Sequence, residues 1–306
     1  MKRNQTVTLY PFDRIIIGYC LLMLILILLF GQPLKNYYDE LAFYSAVIVL
    51  VVLICRHVDE RKNCFSTLLR IGYPGLLFTF FYRATGGTIF LIFDRFYDRQ
   101  LTSFEKAIFG TYPTLYIDQH LLNVWANEIF SFCYFSYYFM ILVFLLVLFV
   151  KKHYATIKSF LTSACLTFFF SYILFFIYPI EGPRWFFAYQ YVNPIESPLF
   201  RNLVEFVIDN AAVHGGCMPS SHFGVALVIQ MYCFRYYKLS AWLLLPLNLG
   251  LAIGTVWGRF HYVSDVIVGG LLGIVTTFFV WKYYPKWYPS GVSSVAQKEL
   301  QAEHVS

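Results

Sequence analysis

Apolar positions come in long unbroken runs, parted by short polar joints that are mostly basic. The runs cover 15–30, 41–55, 71–93, 129–150, 157–178, 219–233, 241–257 and 262–281. A helix rises about 1.5 Å per residue, so roughly 20 apolar residues span a 30 Å hydrocarbon core. The pattern predicts an all-α chain, a polytopic membrane helix bundle with about eight crossings. A transmembrane β-barrel would instead alternate apolar and polar positions in segments of about ten residues. No small-residue cleavage site follows the first run, so it reads as a crossing and not as a signal peptide. Arg83 and Gly86-Gly87 interrupt the third run, and the sixth and seventh are short.

Composition narrows the class further. Of 306 residues, 59% are hydrophobic and 13% are charged, where a soluble domain carries about 25% charged residues. A soluble globular protein is thereby excluded. A mean hydropathy of +0.60 excludes a disordered one. The net charge of +6 does not point to nucleic acid, because the basic residues sit in the joints. An even number of crossings leaves both chain ends on one side. The positive-inside rule puts them in the cytoplasm, with Arg14, Arg56, Arg61, Lys62, Lys151, Lys152 and Lys158 in tight inner segments. The seven cysteines lie mostly in or beside apolar runs and show no CxxC spacing, so neither a disulfide framework nor a metal site is expected. Cys217 falls in an outer loop.

Two outer segments, 94–128 and 179–218, are too long to be simple connections, and loops of that length are usually functional. The first contains 104–108 and 115–122, which read as short interfacial helices; a polar tail occupies 290–306. Ionisable groups at the mouths of membrane helices are costly and mark function. Three sets stand out. His261 and Asp265 lie four apart, on one face of the helix that opens the eighth run. A carboxylate accepting the Nδ1 hydrogen fixes the imidazole tautomer and leaves Nε2 as a nucleophile. Pro219-Ser220-Ser221-His222 opens the sixth run, where proline suits the first helical turn. The free N–H groups and the two hydroxyls there make an anion site, with His222 as a proton donor one turn in. Arg184, in Glu181-Gly182-Pro183-Arg184, is a phosphate clamp or an anchor for lipid headgroups. Taken singly, the first pair is also a structural His–Asp contact and the second a helix cap. His214 is a weaker candidate for substrate contact, and His120 with Asp118 reads as interfacial. Arg83 is the odd charge inside an apolar run, with Asp94 or Asp98 as its candidate partner.

Taken together, the order Arg184, then Ser220-Ser221-His222, then His261 and Asp265 resembles the type 2 phosphatidic acid phosphatase superfamily. The stretch from Gly254 to Asp265, GTVWGRFHYVSD, is similar to the last motif of the branch that contains inositol phosphorylceramide synthase. Phe109-Gly110, Tyr112-Pro113 and Tyr134-Phe135-Ser136-Tyr137-Tyr138 resemble the same branch. The resemblance covers roughly residues 70 to 285. It implies a six-helix phosphatase-like catalytic core within 66–288, two extra helices in 1–65 and a cytoplasmic tail at 289–306. It also implies His261 as nucleophile, Asp265 as its orienting partner and His222 as general acid. Phosphate oxygens would be held by Ser220, Ser221, Arg184 and Arg259. Two departures stand out. Gly254-Thr255 occupies the place of a Ser-Arg pair, and Ile177 the place of a lysine, with the dipeptide Pro183-Arg184 reversed.

The function this implies is phosphoester transfer from a phosphate-bearing lipid, at the extracytoplasmic face of a plasma or inner membrane. A phosphohistidine would form and be released to water or to a lipid hydroxyl, the latter being headgroup transfer. The expected partners are a lipid substrate and the membrane, without nucleic acid, cofactor or metal. Neutral His261 with protonated His222 implies a bell-shaped pH–rate profile. A non-enzymatic lipid transporter would use Arg83, Asp94 and a broken third helix, yet the chain lacks the paired halves such proteins usually have. A non-catalytic lipid-binding relative would have no need of intact His222, His261 and Asp265.

Overall fold

The computed structural model describes residues 9–32 and 34–287, so the polar tail expected at 290–306 lies outside it. Within those bounds the chain is helical, without a strand. In order, the helices are α1 (Pro11–Phe30), α2 (Tyr37–His57), α3 (Cys64–Thr88), α4 (Asp98–Phe109), α5 (Pro113–His120) and α6 (Val124–Val150). Then come α7 (Tyr154–Ile177), the single turn α8 (Pro183–Phe186), α9 (Phe200–Ala211), α10 (Ser221–Tyr236), α11 (Lys238–Trp257) and α12 (Val263–Tyr283), closed by a 3-10 turn at Tyr284–Trp287.

Seven of these, α1, α2, α3, α6, α7, α11 and α12, are long and apolar enough to cross a membrane. The predicted sixth crossing is α10, with only 16 residues, or about 24 Å of helix. It still runs between the two ends of the bundle. At one end the Ser220 amide donates to the Asp265 carbonyl over 2.9 Å, beside the start of α12. At the other the Tyr237 ring stacks on His153, which precedes α7. Successive long helices therefore alternate in direction. Arg14 donates to the Trp287 carbonyl over 3.0 Å, so the first and last described helices begin and end at the same end of the bundle.

Local chemistry moves several predicted boundaries. α3 starts at Cys64, where the Asn63 side chain accepts from the Ser66 amide over 2.8 Å. It runs unbroken through Gly86-Gly87, and Glu40 of α2 packs against Gly87 where a side chain would stand. Arg83 sits exposed on α3. It pairs with neither predicted partner: Asp94 is exposed, and Asp98 is committed elsewhere. Pro219 is not in the first turn of α10. Ser220 is the cap, its Oγ accepting from the Phe223 amide over 3.5 Å. Of the two short helices read in segment 94–128, α4 is longer than 104–108, α5 starts and ends two residues earlier than 115–122, and α9 was not anticipated.

α10 and α12 meet along a seam of glycines. A Cβ on Gly224 would fall 2.8 Å from the Gly269 carbonyl oxygen, and one on Gly269 or Gly273 would overlap the backbone of Ser220 or Gly224. Small residues let membrane helices approach to backbone contact. This seam sets the spacing between Ser220-Ser221-His222 and His261–Asp265. Gly269→Val is therefore expected to cost about 1–3 kcal/mol or more and to lower the thermal midpoint in detergent. Gly18→Val, where nothing lies within 4 Å, should leave the midpoint unchanged. Equal midpoints for the two variants would dismiss the seam.

The two N-terminal helices share the central core. Tyr19 of α1 stacks on Phe169 of α7, ring centres 4.2 Å apart. At the end of the bundle away from the glycine-held histidines, Asp13 of α1 forms a buried ion pair with Arg70 of α3, 2.6 Å long.

Candidate active site

The site is built where α10 and α12 begin. After α11 the chain turns back on itself, with the Phe260 and His261 amides both donating to the Thr255 carbonyl. Arg259 takes a left-handed conformation, φ +65°, to close that turn. His261 emerges buried, 5% exposed. Asp265, fully buried, sits in the first turn of α12, where its Oδ2 accepts from the Tyr262 amide over 2.8 Å. The carboxylate thus caps its own helix and faces the His261 Nδ1 at 3.4 Å.

His222 comes from the first turn of α10. Its ring centre lies 6.0 Å from that of His261. Tyr137, Tyr134 and Tyr82 surround the ring. The half-buried side chain keeps Nδ1 sealed and without a hydrogen-bond partner, so Nε2 is the nitrogen left open. Two cavities meet at His222. A polar pocket of about 250 Å3 is lined by His222, His261, Cys217, Arg184, Glu181 and His214, among others. An apolar cavity of about 860 Å3 runs from Tyr82, Tyr134 and His222 down between α3 and α6 to Phe65 and Phe149.

The structure brings His222, His261 and Asp265 together, the last two facing each other at the start of α12 as their spacing of four predicted. The candidate phosphate ligands fare differently. Arg184 lines the polar pocket but is already paired, with Glu205 at 2.5 Å and Asp209 at 3.3 Å. Arg259 points away from His261: it binds Asp118 and the Asn193 carbonyl, each at 2.5 Å, and lies over the Tyr191 ring. Ser220 is fully buried as a helix cap, and Ser221 lines the apolar cavity. His214, at the rim of the polar pocket, contacts Glu181 at 2.9 Å. Gly254 has a local reason to replace the serine of the phosphatases, since a Cβ there would meet the Phe130 carbonyl oxygen at 2.6 Å.

Sequence reasoning missed the acids that build the loops. Asp98 accepts from the Glu181 and Gly182 amides and from the Tyr262 hydroxyl, at 2.8 to 2.9 Å. Burial holds its carboxyl above the usual range, although those three donors pull the other way. Glu105 accepts from the Ser264 amide at 2.6 Å. Asp118 accepts from the Val192 and Asn193 amides, and Glu128 from the Leu199 and Phe200 amides. Segment 94–128 is therefore a clasp on segment 179–218 and on the start of α12. A signal was available: Asp98, Leu101, Thr102 and Glu105 recur at helical spacing and form the buried face of α4.

Cys217 was missed as well. Its Sγ lies 2.9 Å from Asp265 Oδ2 and 3.5 Å from His261 Nδ1. Burial, then the Asp265 charge, pushes this thiol well above its usual range, so it stays protonated at neutral pH. The sequence shows no metal-ligand cluster, but the fold assembles one donor each from Cys217, His261 and Asp265.

Residues 99–279 match the family model of the PAP2 superfamily. Bacitracin transport permease protein BcrC of Bacillus licheniformis is 34% identical over 89 residues, covering 29% of this chain and 41% of that protein. A PA-phosphatase related-family protein of Dictyostelium discoideum is 23% identical over 341 aligned positions, covering 96% of this chain and 60% of that protein. The match thus spans less than two thirds of either relative's length. No solved structure matches the chain. Neither relative is named as an inositol phosphorylceramide synthase, so the comparisons reach the superfamily and not that branch.

Proposed function

This chain belongs to the PAP2 superfamily, a family made up generally of phosphatases, and from that membership we propose that it removes phosphate from a membrane lipid through His261. The observation that carries the reading is the position of His222, at the junction of a polar pocket and an apolar cavity. A phosphate in the polar pocket reaches both imidazoles while its hydrocarbon chain lies between α3 and α6. The similarity to a PA-phosphatase related-family protein supports the same substrate chemistry.

In the proposed reaction Asp265 holds the proton of His261 on Nδ1, and the Nε2 lone pair attacks phosphorus. The bond from phosphorus to the lipid oxygen breaks, and His222 gives that oxygen its proton from Nε2. Water then attacks phosphorus, the bond from phosphorus to His261 Nε2 breaks to release phosphate, and His222 takes up the proton of the water as base. No carboxylate reaches His222 among the described residues, so the substrate phosphate is the charge that balances its imidazolium. Arg184 is engaged by Glu205 and Asp209, so a phosphate shares its guanidinium with them or displaces one of them. The active site faces the extracytoplasmic side in this reading. Arg14, Arg61, Lys151, Lys158, Lys238 and Lys282, all at the far end of the bundle, support that orientation.

The test offers purified protein in detergent a panel of lipid phosphates and phospholipids, with and without diacylglycerol or ceramide. Free phosphate and new lipids are followed by mass spectrometry, with His261→Ala as the blank. Free phosphate that disappears in the variant is the expected result. A new phospholipid without free phosphate would mean that a lipid hydroxyl replaces water, which is headgroup transfer. Products indifferent to His261 would end the catalytic reading.

A further inference from the structure

Cys217, His261 and Asp265 bring three kinds of metal donor to one buried point. Sγ lies 3.5 Å from Nδ1, and Nδ1 lies 3.4 Å from Oδ2. A tetrahedral zinc with bonds of about 2.0–2.3 Å separates its ligand atoms by roughly 3.3–3.7 Å. Those two spacings already fit. The third, Sγ to Oδ2, is 2.9 Å and has to open by a few tenths of an ångström. Asp265 Oδ1 is buried without a hydrogen-bond partner, an acceptor left over in the free protein. The Tyr262 amide on Oδ2 fixes the carboxylate from outside the donor set, as metal-site carboxylates are usually fixed. Cys217 and His261 both line the polar pocket, which gives an ion its path from solvent.

We propose that this triad is a binding site for a soft divalent cation, zinc or cadmium, and that occupancy silences His261 by reversing its tautomer. Without the ion, the imidazole proton sits on Nδ1 facing Asp265, and Nε2 carries the lone pair. The ion takes the lone pair of Nδ1, so the ring proton has to sit on Nε2. The ring stays neutral, but Nε2 can no longer attack phosphorus. Cys217 gives up its proton as the sulfur–metal bond forms, and one proton leaves to solvent for each ion bound. Binding follows from the donor geometry alone; the silencing rests on the function proposed above.

The full chain in detergent is titrated with Cd2+, which is silent in the ultraviolet until thiolate binds it, and with Mg2+, which prefers oxygen ligands. Wild type is expected to take up one Cd2+ with a sulfur-to-metal charge-transfer band and to lose lipid phosphate hydrolysis in step. Mg2+ should produce neither effect. Cys217→Ser keeps a donor to Asp265 but removes the soft ligand, and is expected to lose the band and to bind Cd2+ at least about tenfold more weakly. Absence of the band in wild type, or equal affinity in Cys217→Ser, would overturn the site. A band that grows while hydrolysis continues would overturn the tautomer switch. Protein that hydrolyses nothing would instead remove the function on which the switch rests, and the band would still decide the site.

Discussion

His261→Ala is expected to lower lipid phosphate turnover by about a thousandfold or more, with the helical content unchanged. The argument is geometric. His261 is buried, its Nδ1 faces Asp265 at 3.4 Å, and its ring stands 6.0 Å from that of His222. No other imidazole among the described residues combines a carboxylate in its own helix turn with a place on the polar pocket. His214 also has an acid neighbour, but it sits half-exposed at the rim. His222→Ala should cost about 10²–10⁴-fold, the usual worth of a general acid. Because the two act in one step, the double variant should be scarcely slower than His261→Ala alone. Multiplying effects in the double variant would mean that the histidines act in separate events. Rates from single-turnover assays on one lipid phosphate decide the matter.

Arg70→Met is expected to destabilise the protein by about 3–5 kcal/mol, the cost of stranding one member of a buried ion pair. Asp13 is fully buried and accepts from three donors: Arg70 at 2.6 Å, the Tyr73 hydroxyl, and the Tyr10 amide at 2.7 Å. The guanidinium also lies over the Tyr10 ring, 4.3 Å from its centre. Removing the arginine leaves a carboxylate in an apolar interior. Pairing Arg70→Met with Asp13→Leu removes both charges and should restore most of the loss. Thermal unfolding in detergent reads the difference. Should the double variant be no more stable than the single, the loss in Arg70→Met would not come from a stranded charge. The pair also carries information about architecture, because it fixes α1 to α3, and α3 supplies Tyr82 to both cavities.

Much of the bundle was legible because apolar runs of bilayer length leave few alternatives. Termini were less so, since single polar side chains decide them: Asn63 starts α3 and Ser220 starts α10. The candidate trio was readable because His261–Asp265 depends on helical spacing, and Ser221-His222 on the start of a helix. Arg259 lies only two residues from His261 in sequence, yet its backbone turns the side chain towards Asp118. Sequence distance carries no such direction. The clasp of Asp98, Glu105, Asp118 and Glu128 depends on contacts between segments some 70 to 160 residues apart, which no local pattern encodes. Cys217 reaches Asp265 across 48 residues, by a path set by the glycine seam.

The shortness of α10 bears on how the protein is made. Sixteen residues with Gln230 in their middle form a weak candidate for entering a bilayer unaided, since the insertion machinery responds to apolar length. In the finished fold Gln230 donates to the Ala241 carbonyl and accepts from Asn248 of α11, each at 2.9 Å. Only a neighbour already present can offer those partners. α10 and α11 are therefore suited to leave the translocon together as a hairpin, and the candidate site is completed only when α12 arrives to close the glycine seam.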